Sequence, residues 1–98
     1  MHTSTLEQEA VAVGVQVTAD QLIVKLADER TLEVPLTGFP RLLHGTDAER
    51  NHYEIFAEGT AIEWPDLDEH IGVDGLVAGR RSGESAKSLA RWLEGRRK

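Results

Sequence analysis

Ile62 to Ile71, read Ile-Glu-Trp-Pro-Asp-Leu-Asp-Glu-His-Ile, sets Glu63, Asp66, Asp68, Glu69 and His70 around a Trp-Pro corner. Carboxylates beside an imidazole can ligate a divalent metal, and Asp66, Asp68, Glu69 and His70 are the candidate ligands. The spacing lacks the alternating oxygen ligands, central Gly and distant bidentate Glu of an EF-hand loop. A zinc site would need a second convergent His, and only His44 and His52 lie in the body ahead of this one. Paired carboxylates can also work as general acid and base when burial raises one pKa. Asp68 and Glu69 are sequence neighbours, however, so in an extended segment they point apart. Ser82, Ser85 and Ser88 have no spacing that ties them to His70 as a triad. The structural reading of the same stretch is a solvated turn pinned by Leu67 and Ile71, with Asp68 or Glu69 paired to Arg41 or Arg50.

A second constellation lies at the other end. From Arg80 to Lys98 seven basic residues stand against Glu84 and Glu94, a net charge of +5. Residues 1–79 hold four basic and fifteen acidic residues, or −11, and the whole chain carries −6. Lys87, Arg91, Arg96 and Arg97 form the nucleic-acid candidate, because clustered cations on one helix attract phosphates. Trp92 is the one aromatic among them and belongs by its spacing to the helix's apolar side. The overall acidity opposes bulk attraction to nucleic acid. The charge split fits either a basic helix docking on its own acidic body or two separate surfaces for partners.

The 98 residues suffice for one core, burying roughly 65% of the unfolded surface. With 40% hydrophobic and 29% charged residues the chain belongs with ordinary globular domains. The absence of cysteine removes disulfides, thiolate metal sites and cysteine nucleophiles. No basic segment precedes an apolar run at the N-terminus, and no stretch reaches the length of a membrane span, so the expectation is a cytoplasmic protein without a cofactor.

The elements that position these residues are legible in the hydrophobic period. Residues 1–9, polar with a single Leu6, are expected to be a loose arm, and 10–98 a single domain. Val11, Val13, Val15 and Val17 alternate with smaller or polar residues, which predicts one strand face. Leu22, Val24 and Leu26 predict a second strand; Leu32, Val34 and Leu36 predict a third, joined by the polar Ala27-Asp28-Glu29-Arg30 turn. Pro35 belongs at a strand end or an edge. Pro40 to His44 predicts a short helix, and Thr46 with Glu49 predicts a capping box opening another at Asp47. Tyr53 to Ala57 and Ala61 to Trp64 predict a second hairpin across Glu58-Gly59-Thr60, able to extend the first sheet to five strands. Ile71-Gly72-Val73 allows only a bridge or edge strand, and Asp74 to Ala78 one helical turn closed by Gly79. Ala86, Leu89, Ala90 and Leu93, with Trp92 beside them, predict an amphipathic helix over about 85–97 whose apolar face covers the sheet. The fold class is α+β, an antiparallel three-stranded meander plus a second hairpin with short helices and that C-terminal helix.

Taken jointly, several stretches resemble an uncharacterised bacterial family, domain of unknown function 2442. They are Val-Pro-Leu at 34–36, Phe-Pro-Arg-Leu-Leu-His at 39–44, Ile-Glu-Trp-Pro-Asp-Leu-Asp-Glu at 62–69, Val-Asp-Gly-Leu at 73–76 and Ser-Leu-Ala-Arg-Trp-Leu at 88–93. The resemblance implies an α+β fold and an antitoxin-like or adaptor role beside a small neighbouring protein, not an enzyme. In some relatives the domain precedes a helix-turn-helix segment, which does not follow here, so DNA binding by an appended domain is not implied. This chain departs from the family look at Glu29, where the hairpin turn usually has Gly, at Glu63, where His is usual, and at His70, where Asp is usual.

The expectation is therefore a non-catalytic protein-interaction module, with no catalytic residues and no metal. Its partner is expected to be a small protein encoded nearby or a second copy, and Glu63, Trp64, Asp66, Asp68, Glu69 and Arg41 are the candidate contact residues. The alternatives are a small metal-dependent or acid/base enzyme at the acidic corner, and nucleic-acid binding through the basic helix.

Overall fold

The alternating valines and leucines of the first third form one sheet. In the computed structural model, which describes residues 10–97, β1 (Ala12–Val17), β2 (Gln21–Leu26) and β3 (Thr31–Pro35) pair antiparallel in that order. The expected arm over 1–9 lies outside the described residues. Leu22, Val24, Leu26 and Val34 are buried on the inner face, while Leu32 is half-buried. β1 departs from the expected valine face. A bulge between Ala12 and Gly14 shifts its register, and one extra residue reverses which side chains face inward. Ala12 is therefore buried and Val13 is 60% exposed, while Val15 and Val17 keep the inner face. Pro35 closes β3 on the sheet's edge.

After a 3-10 turn at Leu36–Gly38, α1 (Pro40–Leu43) begins on Pro40 and α2 (Asp47–Arg50) on the Thr46 cap. The capping box is complete: the Glu49 amide donates to Thr46 Oγ1 at 3.1 Å, and the Thr46 amide to Glu49 Oε1 at 2.9 Å. Arg50 joins the two helices. Its Nε donates to the Leu42 carbonyl at 2.9 Å and its Nη2 to the Leu43 carbonyl at 2.7 Å. The Leu42 carbonyl also accepts from the Gly45 amide at 3.1 Å, so the buried guanidinium adds to the backbone closure of α1 and supplies a donor for the Leu43 carbonyl.

The second hairpin does not extend the first sheet. β4 (Glu54–Phe56), β5 (Ala61–Trp64) and β6 (Glu69–Gly72) form a separate antiparallel sheet in the order β4-β5-β6. The segment expected to be at most a bridge or edge strand supplies the third strand and lies on the sheet's edge. Ile62, Trp64 and Ile71 join the same core as Leu22, Val24 and Val34, so the second sheet meets the first through apolar side chains instead of ladder hydrogen bonds. Tyr53 Oη reinforces the junction by donating to the Val15 carbonyl at 3.1 Å.

α3 (Val73–Val77) follows β6 directly and buries Val73 and Leu76. A polar segment over 78–85 leads to α4 (Ala86–Arg96), whose Ser85 cap accepts from the Ser88 amide at 3.1 Å. Trp92 packs against the core, but α4 fully buries no residue, and Leu89 and Leu93 are half-buried. The apolar face of this helix therefore covers the body less completely than its periodicity predicts. Among the described residues no helix is long and apolar enough to cross a membrane.

Candidate functional site

The Trp-Pro corner is built by a strand that must stop. Pro65 opens a 3-10 turn over Pro65–Leu67, and Asp68 then takes a left-handed conformation, φ 53°, before β6 begins. Asp tolerates that region better than most residues because its short side chain can hydrogen-bond locally. Trp64 is fully buried, and its indole N–H donates to the Arg50 carbonyl at 3.0 Å. It is a core residue, which corrects its assignment to a contact surface. Leu67 and Ile71 pin the turn to the core as expected.

The polar residues of the corner diverge. Asp66 Oδ2 lies 2.7 Å from His52 Nδ1, and that hydrogen bond raises the His52 pKa above its usual value. Asp68 turns to Arg41. On β6 the alternation sends Glu69 inward beside Ile71 and His70 outward, where its ring meets Phe56 edge-on at 5.2 Å. Glu63 pairs across to both Glu54 and His70 on the exposed face. The four candidate metal ligands thus point to different places, and among the described residues no three His, Asp or Glu side chains converge on one point.

Arg41, on α1, is the hub instead. Its Nε and Nη2 grip the Glu84 carboxylate at 2.9 and 2.6 Å, and its Nη1 donates to the Asp68 carbonyl at 3.0 Å and to Asp68 Oδ2 at 3.3 Å. The Glu84 side chain is only 8% exposed, and Ser88 Oγ adds a hydrogen bond at 2.8 Å. Together the Arg41 and Ser88 bonds hold the Glu84 pKa below the usual range. The Arg41 guanidinium also lies 5.1 Å from the Trp92 ring centre, and Arg96 lies 4.7 Å from it. Arg96 in turn holds Glu49 through two bonds of 3.1 and 2.8 Å. With the Thr46 amide adding to the Arg96 bond, the Glu49 pKa falls to about 2. Helix α4 is therefore fastened by two bidentate ion pairs with an indole contacted by both guanidiniums. The expected pairing of the corner with α1 exists as Asp68–Arg41, whereas Arg50 is occupied by α1 carbonyls. Glu84 and Glu49 were not among the sequence candidates, because 43 and 47 residues separate them from their arginine partners.

Of the basic candidates, Arg96 is occupied by Glu49 and Trp92, and Arg97 lies 3.8 Å from Glu94. Lys87 and Arg91 are exposed.

Beside β6 lie two open cavities of about 630 and 580 Å3 that share Glu69, His70, Ser82 and Gly83 in their walls. They form one trough between β6 and residues 80–85. Arg80, Arg81 and Asp74 lie toward the Gly72 end, and Arg41, Asp68 and Glu84 toward the Glu69 end. The Val73 amide donates to the Thr60 carbonyl at 2.9 Å. With the β5–β6 register, this makes Glu69 and Ile71 the residues bonded to β5. The amides of His70 and Gly72 and the His70 carbonyl therefore point away from β5, both residues line the trough, and none of these groups has a hydrogen-bond partner on another element among the described residues. Glu69 sits at the junction of the cavities. Burial raises its pKa to about 7, as do the neighbouring Glu84 and Asp68 charges, with Arg41 opposing. The sequence signal for the trough was weak: Arg80-Arg81-Ser82-Gly83 reads as a linker, and only the fold brings it beside β6.

The chain matches the model of the protein family of unknown function DUF2442 over residues 12–82 and belongs to that family. No curated protein matches it. A protein of unknown function from Rhodospirillum rubrum has a similar crystal structure, with TM-score 0.68 and 24% identity over 79% of this chain and 95% of that one. An uncharacterised protein from Chromobacterium violaceum, solved by NMR, is similar with TM-score 0.63 and 25% identity over 83% of this chain and 74% of that one. Both likenesses extend the α+β architecture beyond this chain.

Proposed function

We propose that this DUF2442 domain is a non-catalytic protein-interaction module of the cytoplasm, an antitoxin-like or accessory partner of a small protein encoded beside it. One observation carries the reading: the acidic corner borders an open trough along a strand edge whose backbone groups have no partner on another element among the described residues. Exposed edges of this kind are templates for pairing with another chain unless they are covered. At the Glu69 end of the trough Arg41 is spent on Glu84 and Asp68, and at the corner beside it His52 pairs with Asp66, whereas Arg80 and Arg81 at the other end form no ion pair among the described residues. Such an arrangement suits recognition, where charge fixes register and orientation. The Glu69 carboxyl has a raised pKa, but among the described residues the one serine hydroxyl of the trough bonded to a carboxylate is Ser88, on Glu84, whose pKa is held low, so no activated nucleophile supports a hydrolytic reading.

Co-expression with the product of the adjacent gene tests the proposal. The two proteins should co-purify, and the pair Glu63→Lys and Asp68→Asn, both on exposed side chains, should weaken the complex without unfolding the domain. Asn is chosen at Asp68 because it tolerates the left-handed backbone there. Undiminished binding by the folded double variant removes the corner from the interface, and failure of the proteins to associate overturns the partnership.

A further inference from the structure

Three features of the trough restrict what it can hold. The first is the β6 edge, where the His70 and Gly72 amides and the His70 carbonyl face outward and unbonded to other elements among the described residues. An incoming strand could satisfy these groups without disturbing the β5 ladder. The second is room: a Cβ built at Gly72, on one wall, or at Gly83, on the other, would meet no heavy atom within 4 Å. The third is a gradient of charge. Arg80 and Arg81 line the Gly72 end together with Asp74, which accepts from the Ala10 amide; the two arginines form no ion pair among the described residues, so that end is net positive. At the other end the Asp68 side chain is 90% exposed, so its single bond to Arg41 leaves most of the carboxylate open to a further cation.

We propose that the trough binds an extended peptide segment that adds to β6 as an antiparallel strand, with an acidic residue beside Arg80 and Arg81 and a basic residue beside Asp68. Antiparallel addition continues the pairing already used throughout this sheet and is the somewhat more stable mode per residue. It places the N-terminal end of the guest at Gly72 and its C-terminal end at Asp68. The guest reads acidic first and basic last over five residues, four opposite β6 from Gly72 to Glu69 and a fifth opposite Asp68. Main-chain bonds to His70 and Gly72 would supply affinity, and the two charged ends would select the direction. The inference rests on the interaction reading above and specifies the chemistry of the contact.

Two peptides of identical composition test it on the full chain: acetyl-Glu-Val-Thr-Val-Lys-amide and the reversed acetyl-Lys-Val-Thr-Val-Glu-amide. In an NMR titration the first should shift the His70 and Gly72 amides and slow their hydrogen exchange, and the reversed peptide should bind more weakly. The pair Arg80→Glu and Arg81→Glu should weaken the first peptide about tenfold, the size of two screened ion pairs lost. His70→Pro removes an outward N–H while sparing the bonds to β5, a substitution that edge strands tolerate. It should weaken binding about fivefold, as for one hydrogen bond. Equal or tighter binding of the reversed peptide overturns the proposal, as do shifts confined to α4 or affinities unchanged in both folded variants. The adjacent gene product separates this inference from the reading it rests on. If that protein binds and both variants leave it unaffected, strand addition fails and the partnership stands. If only the peptide binds, the edge site stands and the partnership fails.

Discussion

Glu69 offers the sharpest test of the site's electrostatics. Its carboxyl is turned inward at the junction of the two cavities, and burial lifts its pKa from 4.5 to about 7. The folded protein therefore holds a proton between those values that the unfolded chain has released, so stability falls as pH rises from about 4.5 to about 7 and then levels off. The full shift corresponds to about 3.4 kcal/mol at 1.36 kcal/mol per unit. The side chain borders open solvent, and screening there reduces the effect to roughly 1 to 2 kcal/mol. Glu69→Gln keeps the shape and removes the ionisation. Urea denaturation of both proteins at pH 5 and pH 8 should show the variant gaining about 1 to 2 kcal/mol relative to wild type at pH 8 over its standing at pH 5. Taking the difference cancels His52, whose raised pKa stabilises below its unfolded value and fades as pH rises through the folded one. A difference independent of pH would refute the placement of Glu69. A gain at pH 5 that vanished at pH 8 would reverse its sign.

Three further outcomes follow from the fold. Glu29 sits in the turn between β2 and β3 with φ 75°, so Glu29→Gly should stabilise by about 1 kcal/mol, the cost of a left-handed non-glycine residue; no gain in denaturation midpoint would contradict that backbone. Thr46→Ala breaks the capping box of α2 and should cost about 1 kcal/mol. It should also loosen Glu49 and with it Arg96, seen as faster amide exchange in α4. Trp92→Ala should cost about 1 to 2 kcal/mol, less than a fully buried tryptophan, because the ring is only half-covered and part of its hold comes from two guanidiniums. Loss of the α4 circular-dichroism signal with the two sheets intact would show that the ring fastens the helix to an independently stable body.

Periodicity was enough to place most elements because each strand or helix declares its own buried face. Leu22, Val24 and Leu26 need no knowledge of what covers them, and the Thr46–Glu49 box is a local contract between four residues. Glu29, unusual beside the family look, was also informative: it occupies a position where the backbone needs a positive φ. The failures have a common physical origin in long-range arrangement. Nothing within Ala12-Val13-Gly14 states that β1 will bulge. Nothing in the second hairpin states whether it will meet the first sheet by its edge or through its apolar face. The candidate residues of the corner were correctly placed along the chain, but their directions were set by the turn. Pro65 and the left-handed Asp68 aim Asp66 at His52, Asp68 at Arg41 and Glu69 into the trough.

The charge split along the sequence, acidic body and basic tail, resolves only in part into self-docking. Arg96 reaching Glu49 is such a contact, a tail cation on a body carboxylate. The stronger fastening runs the other way: Arg41 comes from the body, and Glu84 is one of only two acidic residues in the basic segment. Its pairing neutralises a tail carboxylate and leaves Arg80, Arg81, Lys87 and Arg91 without an ion pair among the described residues. Arg80 and Arg81 then stand beside the trough, and Lys87 and Arg91 lie on the exposed side of α4. Had the tail docked by bulk charge alone, those cations would have been the first to be consumed. The geometry instead spends one carboxylate on the body's arginine, and in doing so sets the 80–85 segment opposite β6 with two arginines at one end and Asp68 at the other. The same contact that fastens the helix thus shapes both the wall and the polarity of the trough.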